Sequence, residues 1–313
     1  MTFTTPLREA SPRSPGWRSL VEAANRCVPC LAVRQLCMDR VGEMIESVFD
    51  EFGDQEWDRL LLDLPARVSL EIHVRFLHRH LRAGRILEVG AGPGRFTIEL
   101  ARMGCRVVVG DISQVQLDLN ARHVTDAGVD QAVEGRHKLD VRDLSDFADN
   151  SFDGVVVYGG PLSYAFEQAS DALSECLRVT RPGGVVVGSV MSLAGCARYF
   201  LPNFPALLDQ VGVDHVSAFL AHGDQRSVPP AHPCRMFTSD QIQAMADGLG
   251  AHALAMSASN WLSLGSGDAL AQLANDAEAW DAFLDWEETF CAQPGSLNGG
   301  THLLFATQLK TSQ

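Results

Sequence analysis

Leu87-Glu88-Val89-Gly90-Ala91-Gly92-Pro93-Gly94-Arg95-Phe96 is the stretch that decides the fold. The apolar run from Arg85 to Val89 reads as a buried strand. It ends in a glycine-rich turn and feeds an amphipathic helix carrying Phe96, Ile98, Leu100 and Ala101. Glycines at such a turn let the backbone curl tightly and approach a ligand, and the helix N-terminus behind them favours anionic groups. A dinucleotide fingerprint, G-x-G-x-x-G, counted from Gly90 and Gly92 puts its third glycine at position 95. The chain has Arg95 there, which disfavours a nicotinamide oxidoreductase. The spacing is instead acid-x-G-x-G-x-G, with Glu88 two residues before the first glycine.

Outward from this turn, strands and helices alternate. Cys105 to Gly110 is a second short apolar run, and it ends at Asp111, where a carboxylate can accept two hydrogen bonds from a ribose diol. A helix-like stretch follows from Gln114 to Ala127. Next comes Arg136 to Leu144, with Asp140 directly after the third strand and Asp143 competing with it. The strand Gly154 to Tyr158 leads into Tyr158-Gly159-Gly160-Pro161-Leu162-Ser163-Tyr164. A helix from Ala169 to Val179 ends in Arg181-Pro182-Gly183-Gly184, before the strand Val185 to Val190. Strand–helix alternation with short turns predicts a parallel sheet covered on both faces.

Taken in this order, the glycine turn, Asp111, Asp140, the Tyr158 segment and the Arg-Pro-Gly-Gly turn resemble class I S-adenosylmethionine-dependent methyltransferases over residues 70 to 190. The resemblance implies an α/β fold: a doubly wound, Rossmann-like, seven-stranded and mostly parallel sheet. It also implies S-adenosylmethionine as cofactor. Carried onto this sequence, the cofactor-binding positions are Glu88, Gly90, Ala91, Gly92, Asp111, Ile112, Asp140, Val141, Tyr158 and Gly159. Among these, Glu88 is expected to face the methionine ammonium end and Asp140 the adenine amino group. An unpaired acid inside an apolar strand is costly, which itself argues that Glu88 has a partner. The third glycine, Gly94, is expected to serve helix–strand packing.

The chain has 313 residues, 46% of them hydrophobic, enough for one large domain or one domain with an elaborate cap. Its formal net charge is −14. Enzymes acting on nucleic acid carry a basic field to neutralise phosphates, so a small or cationic acceptor fits better than a polyanion. No apolar run approaches the roughly 18 residues of a membrane span. The N-terminus lacks the hydrophobic centre of a secretory signal, so a cytoplasmic monomer or homodimer is expected. Most of the eight cysteines are expected to be free, buried thiols. Cys27-Val28-Pro29-Cys30 has no second pair to complete a zinc site.

Three parts are expected. Residues 1 to 70 hold a tail and helical patterns, with Pro65 separating them from a helix running Val68 to Leu81. In the resembling family such N-terminal helices form a lid. Residues 71 to 313 hold the methyltransferase domain. Within it, residues 191 to 235 lack strand or long-helix periodicity, and the resemblance implies that this insertion builds the acceptor pocket. Thr238 starts a helix over Ile242, Met245 and Leu249. His252 to Ser259 reads as a sixth strand, Asp268 to Phe290 as one or two helices, and His302 to Leu309 as a final, antiparallel strand.

Methyl transfer needs little covalent help from the protein. Positioning and water exclusion can contribute about 7–11 kcal/mol, and a general base matters only when the nucleophile is a hydroxyl or a protonated amine. Tyr158, His222 and His232 are the candidate catalytic residues, with Tyr164, Phe200 and Phe204 lining the acceptor. His73, His78 and His80 read as surface or lid residues, and His302 as a strand opener. Tyr158-Gly159-Gly160-Pro161 departs from the Asn/Asp-Pro-Pro-aromatic signature of enzymes that methylate DNA bases or protein glutamine, so those substrates are not expected. The leading reading is transfer of a methyl group to an O or N atom of a small molecule in secondary metabolism. Alternatives are a thiol or trivalent arsenic acceptor, suggested by Cys196 and Cys234, and a catalytically silent cofactor-binding subunit.

Overall fold

The computed structural model of the chain describes residues 31–227 and 233–310. Cys27, Cys30 and His232, singled out above, lie outside the described residues. The chain divides into two units, Met1–Glu43 and Met44–Gln313. In the first, the described residues are helical. The second contains the sheet and the site.

Seven strands form one sheet: β1 (Arg85–Val89), β2 (Arg106–Asp111), β3 (Val133–Lys138), β4 (Phe152–Val157), β5 (Thr180–Met191), β6 (Ala251–Ala258) and β7 (His302–Leu309), in the order β3-β2-β1-β4-β5-β7-β6. β1 to β5 pair in parallel, and β7 runs antiparallel to both β5 and β6. The twelve described helices, in chain order, are α1 (Leu31–Phe52), α2 (Gln55–Arg59), α3 (Leu64–His80), α4 (Arg95–Arg102), α5 (Gln114–Asp126), α6 (Pro161–Tyr164), α7 (Ala169–Val179), α8 (Leu193–Phe200), α9 (Phe204–His222), α10 (Ser239–Gly248), α11 (Gly267–Leu273) and α12 (Ala277–Cys291).

The strand period of two sorts side chains into two cores. Leu87, Val89, Val155, Val157 and Val186 pack with α7 and α10, through Leu173, Cys176, Ile242 and Ala246. Ile86, Val107, Val109, Val156 and Val187 pack with α3, α4 and α12, through Ile72, Leu77, Leu100 and Phe283. Each such side chain contributes about 1.5–3 kcal/mol on burial. This is why the strands read as continuous apolar runs and why helices cover both faces. β1 has β2 on one side and β4 on the other, so strand order reverses there, and a crevice opens beyond the carboxyl ends of these strands.

Two expectations are corrected. Pro65 does not separate segments; it lies in the first turn of α3, where its missing N–H costs nothing, and Asp63 caps that helix by accepting from Ala66 N at 2.8 Å. The described residues of 191–235 are largely helical rather than irregular. α9 is interrupted at Gly212 (φ 81°, ψ 166°) and buries only Val216 and Phe219, while Leu208, Val213 and Leu220 are exposed. A helix that buries so little leaves no clear apolar stripe in its sequence. Thr238 does start α10, in a capping box with Gln241. No described helix is long and apolar enough to cross a membrane.

Candidate active site

The glycine turn caps β1. Gly90 N and Ala91 N both donate to the Gly110 carbonyl, at 2.8 and 3.1 Å. A side chain at Gly90 would strike Pro161, and one at Gly94 would crowd Asn120, so both glycines serve close packing. Gly92 differs: it holds φ +53°, and a Cβ there would meet nothing. Gly159, just after β4, has φ +78° and the same open face. The carboxyl ends of β1 and β4 thus each present bare backbone to an open space.

Acids border that space. Glu88 on β1 is buried, and its Oε2 accepts the Thr97 hydroxyl from α4 at 2.6 Å. Its other oxygen has no hydrogen bond from the described residues. Burial, with the nearby Asp111 charge, pushes the Glu88 carboxyl up to about 8 despite the Thr97 bond. Asp111 ends β2. It ties the turn together by accepting from Gly92 N at 2.8 Å and Ser113 N at 2.9 Å. Burial outweighs these bonds and raises its carboxyl to about 6. Ile112 beside it is half-buried, and Gln116 further along has a buried side-chain oxygen without a partner.

Beyond β3, the Asp140 carboxylate is gripped on both oxygens by the guanidinium of its neighbour Arg142, with Nε at 2.9 and 3.0 Å. Val141 points into the core. Asp143 is bound locally by Ser145, which holds its carboxyl below the usual range.

Tyr158 is an almost fully buried ring packed against Phe96 (4.9 Å between centroids) and His73 (5.0 Å). Its hydroxyl donates to the His73 carbonyl at 3.2 Å. His73 is buried rather than on the surface, a correction to the reading of its helix. The α3 periodicity turns Val68, Ile72, His73, Phe76 and Leu77 inward together. Its Nδ1 lies 2.7 Å from the Ser69 carbonyl, so Nδ1 carries the proton and Nε2 keeps a lone pair. Burial lowers this imidazole to about 4. His302, 5.7 Å away ring to ring, is held neutral by burial as well.

The helices before the sheet lie across this end. Phe49 meets Tyr164 edge to face at 5.4 Å, and Ser113 Oγ donates to Asp50. Gln116 Nε2 donates to the carbonyls of Phe49 and Gly53. Arg95 donates to the Trp57 carbonyl, and the Trp57 ring lies on His123 at 3.9 Å. Arg59 pairs with Glu56, and its charge reaches Tyr164, His73 and His302.

Both ends of the 191–235 segment are tied to α6, just after β4: Arg235 N donates to the Ser163 carbonyl at 2.8 Å, and Ser163 Oγ accepts from Met191 N at 3.0 Å. Tyr164 on α6 is buried. Phe200 pairs with Tyr199 and is exposed, and Phe204 is half-buried. His222 ends α9 exposed to solvent. The thiols of Cys196 and Cys234 donate to the Thr301 carbonyl and to Gln225 Oε1, and burial raises both well above the ordinary thiol range, so neither is a thiolate. Sequence reading did not single out Glu56, Arg59 or Thr97, and it did not bring His73 and His302 together. Only the Glu56–Arg59 pair left a signal, an acid and a base at i,i+3 on a short helix.

The methyltransferase domain family matches residues 86–184. The chain is 32% identical to the cypemycin N-terminal methyltransferase of a Streptomyces species over 196 residues, 62% of this chain and 69% of that protein. It is 39% identical to the demethylmenaquinone methyltransferase of Clavibacter sepedonicus over 103 residues, 33% of this chain and only 39% of that protein. In fold it is similar to the 1,6-didemethyltoxoflavin-N1-methyltransferase of Burkholderia thailandensis, solved with 1,6-didemethyltoxoflavin and S-adenosylhomocysteine. That likeness has a TM-score of 0.53 at 15% identity, covering 88% of this chain and 91% of that one.

Proposed function

From the premise that the chain belongs to the class I S-adenosylmethionine-dependent methyltransferases, we propose that it methylates an O or N atom of a small molecule in secondary metabolism. The observation that carries the reading is the pairing of a buried, half-satisfied carboxylate with open-faced glycines at the strand-order reversal. Glu88 has one oxygen without a partner and a carboxyl raised by burial, so it calls for a cation. Gly92 and Gly159 leave space where any other residue would place a side chain. These residues fit a ligand with an ammonium end and a nucleoside end.

In this reading Glu88 holds the ammonium, and Gly90, Ala91, Gly92 and Gly159 present backbone to the ligand. Asp111 with Ile112 receives the ribose. Asp140 and Val141 border the base, with the Arg142 grip fixing the Asp140 carboxylate. S-adenosylmethionine supplies an electrophilic methyl group on a sulfonium. The protein's part is to orient an acceptor lone pair and keep water away. The Tyr158 hydroxyl is committed to the His73 carbonyl, which makes its ring a wall rather than a base. Neutral His73 and His302 offer lone pairs, suited to an acceptor hydroxyl or amine, next to that wall. Tyr164 and Phe204 contribute apolar surface from the cap side.

The relatives' printed names, a cypemycin N-terminal methyltransferase and a demethylmenaquinone methyltransferase, agree with a small or terminal acceptor. Calorimetry should find one site for S-adenosylmethionine and for S-adenosylhomocysteine, with no competition by NAD. Radiolabelled methyl transfer to a panel of amines and phenols should then distinguish N from O. Binding of NAD without S-adenosylmethionine would overturn the reading.

A further inference from the structure

Asp140-Val141-Arg142 and Asp224-Gln225-Arg226 make the same fork, each arginine closing on the acid two residues before it. The Asp140 carboxylate accepts from Arg142 N at 2.9 Å, from Nε at 2.9 and 3.0 Å, and from Nη2 at 2.5 Å. Asp224 accepts from Arg226 N at 3.0 Å, from Nε at 3.0 Å to both oxygens, and from Nη2 at 2.5 Å. Both arginine side chains are mostly covered. Each fork keeps Nη1 out of the pair, and in both it reaches one short turn, Phe166–Gln168. Arg142 Nη1 donates to Gln168 Oε1 at 3.3 Å, and Arg226 Nη1 donates to Glu167 Oε2 at 3.2 Å. Arg226 also lies 4.5 Å over the Phe166 ring, and Arg235 Nη1 donates to the Phe166 carbonyl at 3.4 Å.

The turn they grip is strained. Phe166 holds φ +50° with its ring buried. A bulky side chain is an outlier in that region, and it stays there only where its surroundings over-determine it. The turn follows α6, whose Ser163 binds Arg235 N and Met191 N. It is thus held from the loop after β3 and from the segment after α9. We propose that Arg142 and Arg226 are paired positioning residues. They hold the Phe166–Gln168 turn between them, and so couple occupancy of the base subsite at Asp140 to the order of α6 and of the residues around Arg235. This rests on the methyltransferase reading above, which sets the donor's base beside Asp140. A carboxylate has about four acceptor positions, and three N–H groups of Arg142 occupy this one, which leaves about one for an amino group of the base. Filling it fixes the acid, the acid fixes the fork, and the fork fixes Gln168. A turn stiffened at that end costs less to order at the other, which couples the two sites without a change of shape.

Hydrogen exchange with and without saturating S-adenosylhomocysteine tests this on wild type, Gln168→Leu, Gln168→Glu and Arg226→Met. The quantity read is the ratio of exchange rates, empty over loaded, in residues 162–168 and 234–237, whose amides include donors to Gly160, Ser163, Gly223 and Met191. Coupling between sites is typically fivefold or more, so the wild-type ratio should be about fivefold in both segments. Gln168→Leu removes the acceptor for Arg142 at similar volume and should bring both ratios to unity. Gln168→Glu keeps an acceptor oxygen and should keep both ratios. Arg226→Met should keep the ratio in 162–168 and lose it in 234–237. A merely structural role would speed exchange in the empty and loaded protein alike, leaving every ratio at its wild-type value. That outcome in Gln168→Leu would overturn the proposal, and so would an unchanged ratio at 234–237 in Arg226→Met. A wild-type chain that binds S-adenosylhomocysteine with ratios of unity would overturn it too. A wild-type chain that fails to bind the ligand in calorimetry would instead overturn the cofactor reading.

Discussion

Arg95 holds α2 through Trp57. Its Nε donates to the Trp57 carbonyl at 2.8 Å, and its guanidinium lies 4.0 Å over the Trp57 ring. On its other face that ring rests on His123, whose Nδ1 donates to the Pro93 carbonyl of the glycine turn. The residue that breaks the dinucleotide fingerprint is thus the one that ties the N-terminal helices to the turn. Desolvation lowers the Arg95 pKa, a cost that the carbonyl bonds and the ring stacking offset.

Replacing Arg95 with Gln removes one charged hydrogen-bond donor and one cation–π contact, together about 2–4 kcal/mol of local tethering. The global fold does not depend on it, because the sheet cores lie elsewhere. Hydrogen exchange should show faster opening of residues 49 to 60 with a melting temperature within a few degrees of wild type. Unchanged protection across that segment would mean that it is held by other contacts, such as Gln116 to Phe49.

Glu88 makes stability fall with rising pH. Its carboxyl is raised to about 8 in the folded chain, while in the unfolded chain it ionises in the ordinary range. Between those values the folded state holds a proton the unfolded state has lost, so the folded state is favoured at the acid end and loses that advantage as pH climbs to 8. Asp111, raised to about 6, acts in the same direction at lower pH. His73, lowered to about 4, and His302 act in the opposite direction up to the ordinary imidazole range. The window from pH 6.5 to 8 therefore belongs to Glu88. Chemical denaturation of the ligand-free chain should show declining stability across it, and Glu88→Gln should flatten the decline. Because an ammonium ligand favours the ionised carboxyl, binding S-adenosylhomocysteine near pH 7 should also release a proton, visible as a dependence of the binding heat on buffer ionisation.

The sheet was readable in the sequence because buried parallel strands leave short apolar runs bounded by glycine and acid. β1 and β7 begin and end where the runs do. The turn and Asp111 were readable for the same reason, being fixed to strand ends. The ring cluster beside it was not. His73, Tyr158 and His302 are spread over more than two hundred positions, and only folding brings their rings together. His73 on a helix with His78 and His80 looked like one of three surface histidines, yet helical geometry sends only the first fully into the core. α9 was missed because a helix that leaves Leu208 and Val213 exposed has no apolar face to read.

Gly92→Ala should abolish cofactor binding for a reason that backbone strain alone does not supply. Alanine at φ +53° costs roughly 1–2 kcal/mol, and its methyl group would enter the open space beside the turn. Gly183, with φ +82° and equally open surroundings, lies at the far end of β5 and is exposed. Gly183→Ala is therefore the matched control. Both variants should lose comparable stability, but only Gly92→Ala should lose affinity for S-adenosylhomocysteine. Equal affinities would place the ligand away from the turn.

Asp111→Ala separates an acid that serves the site from one that serves a loop. Its carboxylate accepts from Gly92 N and Ser113 N, so it both shapes the turn and offers its remaining lone pairs to the open space. Charge-assisted hydrogen bonds of this kind contribute about 1.5–3 kcal/mol, so losing the ribose contact should weaken S-adenosylhomocysteine binding by about 10- to 100-fold. Asp143, exposed and bound only to its own loop at Ser145, is the comparison. Asp143→Ala should leave the dissociation constant within about twofold, as surface substitutions usually do. Loss of the turn's support could mimic loss of a contact, and Asp111→Asn addresses this. The amide oxygen still accepts from one backbone N–H, so the turn should survive while the charge is gone. If Asp111→Asn and Asp143→Ala both bind like wild type, the acid at the end of β2 has no part in holding the ribose.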